Sequence, residues 1–394
     1  MANEKTEKKN KQKPEASKGL AITYLVRLGI ASPSGGRSEI ENLNVIKKIR
    51  EGFLDFPYAS AQAMKRALRD TLKGLGYKAS PVVNTKPART VGDPVKYIDD
   101  DLFGFMEAAS KKTGRAEIDR LNGIRKAVVS MTPLLSLSAF EDNVDFGANM
   151  MGLRAGGDPM PYETEVHRGW YRISIYVELD RIGTDTGFIT DLKKITWAGD
   201  IIELLKNPPK DYDFIAPVAE DKEKKLKKGF ATFKLVCKDE LSKDQRYLRA
   251  KALLDAIRFL APSGRSSNWL IDLTPKLIVA AYVKGARTPF LETPLIKIKE
   301  GDEKDEINLV NIKEVKDVFN DGIENLVVGY REDLILNPNN GEKEKNKGET
   351  NIKVNDIDEK SKDKNEIPIK KINEAFDTID GWLRKQFNIK DTSN

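Results

Sequence analysis

The sequence predicts an α+β protein, and three observations carry that reading. The stretch "YRISIYVELDRIG" (171–183) alternates Ile173, Ile175, Val177 and Leu179 with Ser174, Tyr176, Glu178 and Asp180, the two-residue period of a strand. The stretches 56–75 and 242–261 instead space their apolar residues three and four apart, the period of a helix. β-branched and aromatic residues gather in short runs, "LAITYLVRLGI", "FATFKLV" and "KLIVAAYV", set between clusters of turn-forming residues.

Taken in order, residues 1–19 are charged with no apolar stretch behind them, so they read as a flexible basic arm and not as a secretory signal. A strand over 20–30 follows, then the loop "ASPSGGRSE" carrying Arg37, then a short helical pattern through Lys47, Lys48 and Arg50. In "FPYASAQAMKRALRDTL" (56–72), Pro57 and Ser60 form an entry, with Ser60 as N-cap, and Gly74 and Gly76 form an exit. The region 77–130 is mixed and reads as an insertion, helical in part, with "DDDLFGFM" and a cationic stretch ending in "GIRKAVVSM". "LLSLSAF" returns to strand. Residues 141–170 are rich in Gly, Met and Pro turn signals and read as a projecting hairpin, because loops longer than about 12–15 residues are usually functional or disordered.

The strand at 171–183 comes next, then the strand at 230–236 and a helix over 242–261 with Tyr247, Ala250, Leu254 and Ile257 at helical spacing. "PSGRSSNW" makes a tight turn into the last core strand. Counted without excursions the order is strand, helix, strand, strand, helix, strand, the ferredoxin-like arrangement shared by RRM-type RNA binders. An extension over 292–335, a Lys/Asn/Glu-rich segment at 336–366 expected to be disordered, and an amphipathic helix at 367–388 complete the chain. Ile372, Phe376, Ile379 and Leu383 of that helix need a surface to dock on.

Composition narrows the function classes. A net charge of +6 suits a polyanionic partner without demanding one. The single cysteine, Cys237, excludes an internal disulfide framework, fits a reducing cytoplasm and reads as a small buried hydrophobe. No stretch reaches the roughly 20 apolar residues of a membrane span. His167 has no second histidine with which to build a metal set, and neither a phosphate-binding loop nor a nucleophile elbow is present. These observations lead us to expect a cytoplasmic protein with no enzymatic activity, no cofactor, no metal site and no membrane partner.

On the helix at 56–75, Met64, Leu68, Leu72 and Leu75 share one face with Ala61 and Ala67 at its margin, while Gln62, Lys65, Arg66, Arg69 and Lys73 share the other. Taken alone the cationic face favours a solvated surface over a phosphate backbone. The loop "PSGRSS" suits an ordinary helix-to-strand turn as well as it suits a phosphate backbone. Arg125 and Lys126 are open between nucleic-acid contact and solvent. Asp99, Asp100 and Asp101 read as a helix cap or a solvent-facing run in preference to a magnesium site.

The Ser-x-Gln-x-x-Lys-Arg-Ala core of that helix resembles the first core helix of the repeated backbone subunit of type I CRISPR surveillance complexes, the Cas-seven (DevR-like) branch of the RAMP superfamily. "DDDLFGFM", "DFGANM", the Pro/Gly hairpin, "ELDRIG" and "APSGRSSNW" are similar to further segments of that branch, in the expected order over most of 20–291, and subtype I-B is the nearest pattern. The resemblance implies an RRM-like palm over 20–291, a helical insertion at about 77–130 and a hairpin thumb at about 141–170. It implies a non-catalytic subunit that stacks in copies along a CRISPR RNA in antiviral defence and presents the guide to a target DNA strand. The other expected partners are the large and small Cascade subunits, the RAMP end-cap subunit and the guide-processing endoribonuclease.

A guide of arbitrary sequence must be held by its backbone, because base contacts would impose a sequence preference. In that setting Arg37, Ser60, Gln62, Lys65, Arg66, Arg69, Gly264, Arg265, Ser266 and Ser267 become the candidate RNA contacts, and Asn149, Met150 and Met151 a candidate wedge at the thumb tip. The rival reading is a metal-dependent, RNA-guided ribonuclease of the type III kind. Such relatives cut with an aspartate in the loop after the first strand, where this chain has Glu39 and Glu41.

Overall fold

Strand β1 (Lys18–Ala31) is the axis of the fold: Leu20, Ile22, Tyr24, Val26 and Leu28 pack into one core and Ala21 and Leu25 into another. The computed structural model describes residues 16–83, 89–91, 94, 96–106, 124–150, 157–189, 212–215, 231–237, 241–263, 269–285, 287–299, 305–332, 334–336 and 367–389. Along the chain β1 is followed by β2 (Lys48–Glu51), β3 (Leu54–Ala59), α1 (Ala61–Gly74) and α2 (Ile98–Phe103). Next come β4 (Val129–Met131), β5 (Leu134–Ser136), the hairpin of β6 (Val144–Asn149) and β7 (Met160–Glu165), and β8 (His167–Glu178). The later elements are α3 (Lys243–Arg258), β9 (Leu277–Lys284), α4 (Leu309–Val318), β10 (Ile323–Tyr330), β11 (Ile369–Lys371) and α5 (Ile372–Phe387).

The large sheet runs β11-β10-β9-β1-β8-β5-β3-β2, and β4 continues the line of β5 along β8. β1 pairs antiparallel with β8 (Ile22 opposite Ile175) and with β9 (Ile22 opposite Ala280). Within it the four core strands stand in the order fourth, first, third, second, with α1 between the first and second and α3 between the third and fourth. Both faces are covered. α1, α3 and α5 bury Leu68, Leu72, Leu254, Ile257, Phe376 and Ile379 on one side. On the other side Phe290, Leu295, Ile307 and Ile312 cover Leu25, Trp170, Val279 and Ala281. Full burial of one such side chain is worth about 1.5–3 kcal/mol, so the cover is a structural layer and not a loose tail.

Several expectations change here. Lys48 and Arg50 lie in a strand, because Ile49 pairs with Phe56 across a turn at Gly52, whose φ of +61° favours glycine. The insertion at 77–130, where described, holds only the six-residue α2 and two short strand pairs, Val82–Val83 with Arg89–Thr90 and Phe105–Met106 with Ile124–Arg125. The strand at 231–237, with Cys237 at its end, joins Thr184–Ile189 and Tyr212–Ile215 in a separate small sheet. The extension over 292–335 supplies α4 and β10, and β10 pairs along the whole of β9. The basic arm is shorter than expected, since Lys18 and Gly19 already belong to β1; residues 1–15 and 337–366 lie outside the described residues. The docking surface sought by α5 is α3 together with β9 and β10. Among the described residues no helix is long and apolar enough to cross a membrane.

A candidate nucleic-acid interface on helix α1

Helix α1 is built from good helix formers between a cap and a stop. Ser60 Oγ accepts from the Ala63 N–H at 3.3 Å, and past Gly74 the chain turns through Gly76 at φ +89°. Met64, Ala67, Leu68, Thr71 and Leu72 face the core, while Leu75, assigned to the same face by its spacing, is 42% exposed beyond the helix end. The outward face is a ridge of Gln62, Arg66 and Lys73, all exposed, with Lys65 and Arg69 half-buried along one flank. From Gln62 to Lys73 the ridge runs about 16 Å at 1.5 Å per residue, enough to pass two or three phosphates of an extended strand.

Each flank of the ridge is walled by another segment. On one side Arg69 lies 3.5 Å from Asp99 and 5.0 Å from the Phe103 ring, both in α2. Burial lowers the pKa of Arg69, Asp99 and Asp100 oppose that shift, and burial together with the neighbouring Arg69 charge lowers Lys65. On the other side Asp70 accepts from Arg66 Nε at 2.9 Å and from the Ser263 hydroxyl, and the Ala261 N–H donates to Thr71 Oγ1 at 3.2 Å. The stretch that leads into the glycine-rich loop is therefore bonded to α1. Gly264, Arg265, Ser266 and Ser267 themselves lie outside the described residues.

At the N-terminal end of α1 two further segments converge. Ser34 Oγ donates to the Tyr58 carbonyl at 2.7 Å and accepts from the Lys47 N–H, which fixes the loop carrying the exposed Arg37 to the strand that enters the helix. Glu165 of β7 accepts from the Ile46 N–H and from Lys48 Nζ, both at 2.7 Å, and so joins the hairpin base to the same loop. His167, buried at the root of β8, contacts the Tyr171 hydroxyl at 2.8 Å and the Ala139 carbonyl at 3.3 Å, and burial lowers its pKa. At the hairpin's far end Asn149 and Met150 are exposed, while Met151 lies outside the described residues. The hairpin also exposes Phe146 (68%), Met160 (64%) and Tyr162 (43%), which the sequence reading missed. The signal lay in the alternation of Val144 and Phe146 against Asp145 and Gly147.

Two candidate sets are relocated. Asp99, Asp100 and Asp101 are all buried, so they neither face solvent nor serve only as a cap. Asp101 is held by Arg125, by Arg249 Nη1 at 2.6 Å and by the Gly183 N–H at 3.1 Å, and Asp99 accepts from the Ser80 N–H at 2.7 Å. Among the described residues no group of three His, Cys, Asp or Glu is placed to hold a metal ion. Arg125 is 3% exposed and also donates to the Thr184 carbonyl at 2.9 Å, so both readings left open for it fail. Lys126 is 78% exposed beside Glu178. Gly104 closes this knot: at φ +67°, a Cβ there would meet the Arg125 carbonyl oxygen at 2.2 Å.

A curated relative from Myxococcus xanthus (strain DK1622), the "CRISPR-associated protein Cas7/Cst2/DevR", is 29% identical over 114 residues, covering 27% of this chain and 36% of that protein. The alignment thus spans about a third of the relative's length. Two solved structures are similar in outline. One, titled "CRISPR RNA-guided surveillance complex", is 15% identical at a TM-score of 0.41, covering 79% of this chain and 87% of that one. The other, titled "CRISPR RNA-guided surveillance complex, pre-nicking", is 11% identical at a TM-score of 0.47, covering 93% and 99%. The family model described as "CRISPR-associated negative auto-regulator DevR/Csa2" matches residues 61–300, from the first residue of α1 to the cover of the second sheet face. The chain belongs to this DevR/Csa2 family of CRISPR-associated proteins.

Proposed function

We propose that the chain is a non-catalytic backbone subunit that grips CRISPR RNA by its sugar-phosphate and leaves the bases free for a target DNA strand. The observation that carries this reading is the ridge of α1, where exposed Gln62, Arg66 and Lys73 and half-buried Lys65 stand between two walls. The cations neutralise phosphates and the Gln62 amide can donate to one, without reading bases. In this reading the strand order fourth-first-third-second is that of an RRM-like palm and the β6–β7 hairpin is a thumb. The second sheet face is already covered, so RNA is held at the helix and loop edge and not by stacking on the sheet. Further copies of the chain and the other Cascade subunits are the partners that follow from this role.

The test is RNA retention by the full chain carrying Lys65→Ala and Arg66→Ala. Affinity for single-stranded RNA is expected to fall at least tenfold, and the slope of log K against log salt to shrink by about 1.4, since each phosphate contact on a single strand contributes about 0.7. An unchanged slope would remove α1 as the grip. The ribonuclease alternative rests on the exposed Glu39 and Glu41, because Asp99 and Asp101 are already engaged by arginines. Regularly spaced, magnesium-dependent cuts in complementary RNA that vanish with Glu39→Ala would favour it.

A further inference from the structure

The ridge of α1 contains one acid, Asp70, where simple electrostatics would have none. Asp70 stands one turn after Arg66 on the same flank, and its carboxylate receives two donors. One is Arg66 Nε at 2.9 Å, from the ridge itself. The other is the hydroxyl of Ser263, which lies nearly two hundred positions away at the mouth of the glycine-rich segment. The next residue, Thr71, takes the Ala261 N–H. Burial alone would raise the pKa of Asp70, but the bonds from Arg66 and Ser263 outweigh it and hold the carboxyl below its ordinary range, so the group is charged at neutral pH. The Arg66 side chain is 65% exposed, and an exposed i,i+4 ion pair contributes little to stability. The Arg66 pair by itself therefore gives no sufficient reason for an acid on a cationic ridge.

We propose that Asp70 is a positioning residue for nucleic acid: it aims the Arg66 guanidinium along the ridge and pins residues 261–263 beside it, so that a negative charge strengthens the binding of a polyanion. This rests on the RNA-binding reading above. Arg66 carries more guanidinium donors than its bond to Asp70 uses. A fork held by a carboxylate can still present its remaining N–H groups to a phosphate, and it forfeits less rotamer entropy on binding than a free side chain does.

The sign of the effect separates this proposal from plain charge counting. Removing Asp70 raises the net charge by one, so charge counting expects tighter RNA binding and a steeper salt slope. The clamp expects the reverse. The experiment measures binding of a labelled, mixed-sequence single-stranded RNA to the full chain across a salt series, for the parent, Asp70→Ala, Asp70→Asn and Ser263→Ala. Asp70→Ala is expected to weaken binding about tenfold, the scale of one charge-assisted hydrogen bond. Asp70→Asn keeps an acceptor for Ser263 and should lose less. Ser263→Ala alone should weaken binding while leaving the Arg66 pair in place. Combining Ser263→Ala with Asp70→Ala should add little, because both break one bond. Equal or tighter binding by Asp70→Ala overturns the proposal. Should that variant fail to fold, equal or tighter binding by both Asp70→Asn and Ser263→Ala overturns it. If Lys65→Ala with Arg66→Ala leaves RNA binding untouched, the RNA reading itself fails; if that pair weakens binding and the Asp70 variants do not, only the clamp fails.

Discussion

Arg66 and Arg69 stand one turn apart on the same helix and meet opposite fates. Arg66 is 65% exposed and pairs within its own helix; Arg69 is 26% exposed and leans on Asp99 and Phe103 of α2. A few residues deeper the contrast is complete, where Arg125 and Arg249 share the buried Asp101. All four arginines look alike in sequence. What separates them is where the counter-charge comes from. A partner on the next helical turn leaves a guanidinium in water and open to a ligand, whereas partners delivered from remote segments turn it into an internal strut. The ridge and the knot are thus two uses of one residue type, and their boundary runs through α1.

The largest effect expected from breaking this contrast is at the knot. Asp101→Ala strands Arg125 and Arg249 without their shared carboxylate, and losing one partner of a buried ion pair costs on the order of 3–5 kcal/mol. A denaturant midpoint would show it, and a loss below about 1 kcal/mol would mean that the knot is no strut. Next in size is the comparison within α1. Arg69→Ala is expected to lower stability by roughly 1–2 kcal/mol through its lost ion pair and ring contact, with RNA affinity less affected than stability. Arg66→Ala is expected to stay within about 0.5 kcal/mol of the parent in stability while the salt slope of RNA binding falls by about 0.7. Equal stability losses in the two variants would erase the boundary.

The smallest effect is in titration, where Asp70 and Asp99 move in opposite directions from their ordinary 3.8: burial raises Asp99, and hydrogen bonds from Arg66 and Ser263 carry Asp70 below it despite burial. Asp70 therefore contributes stability that is present above about pH 3.8 and is lost as pH falls through its lower folded value. Asp99 behaves inversely: its contribution is full below pH 3.8 and is lost as pH rises through its higher folded value. Unfolding curves of Asp70→Asn should differ from the parent at pH 7 and converge with it in acid, and carboxyl NMR titrations should order Asp70 below Asp99.

The parts that were legible in the sequence are local ones. Ser60 caps its helix as the sequence suggests, accepting from the Ala63 N–H, and the strand around Ile173–Val177 follows its alternation. The illegible parts depend on long-range delivery. Asp101 meets Arg249 across 148 positions, and nothing near "DDD" in the chain announces it. The β2–β3 hairpin was misread as helical because Lys47, Lys48 and Arg50 fit either period, and only the pairing of Ile49 with Phe56 decides between them. The charged look of the C-terminal region hid α4, whose buried Ile312 helps seal the second sheet face. For the candidate interface, the cationic stripe was visible and its walls were not, since Asp99 and Ser263 come from distant segments.

Helix α5 has a consequence for how the molecule is made. It seals a core opened by Leu20 and Ile22, with Tyr247 bonding Asp380 at 2.9 Å and Gln386 bonding Asp180 at 3.1 Å. A nascent chain still on the ribosome shows this face bare until residue 387 has cleared the exit tunnel. Every element before α5 can thus be made while an apolar flank stays open to water, the kind of surface on which incompletely folded chains aggregate.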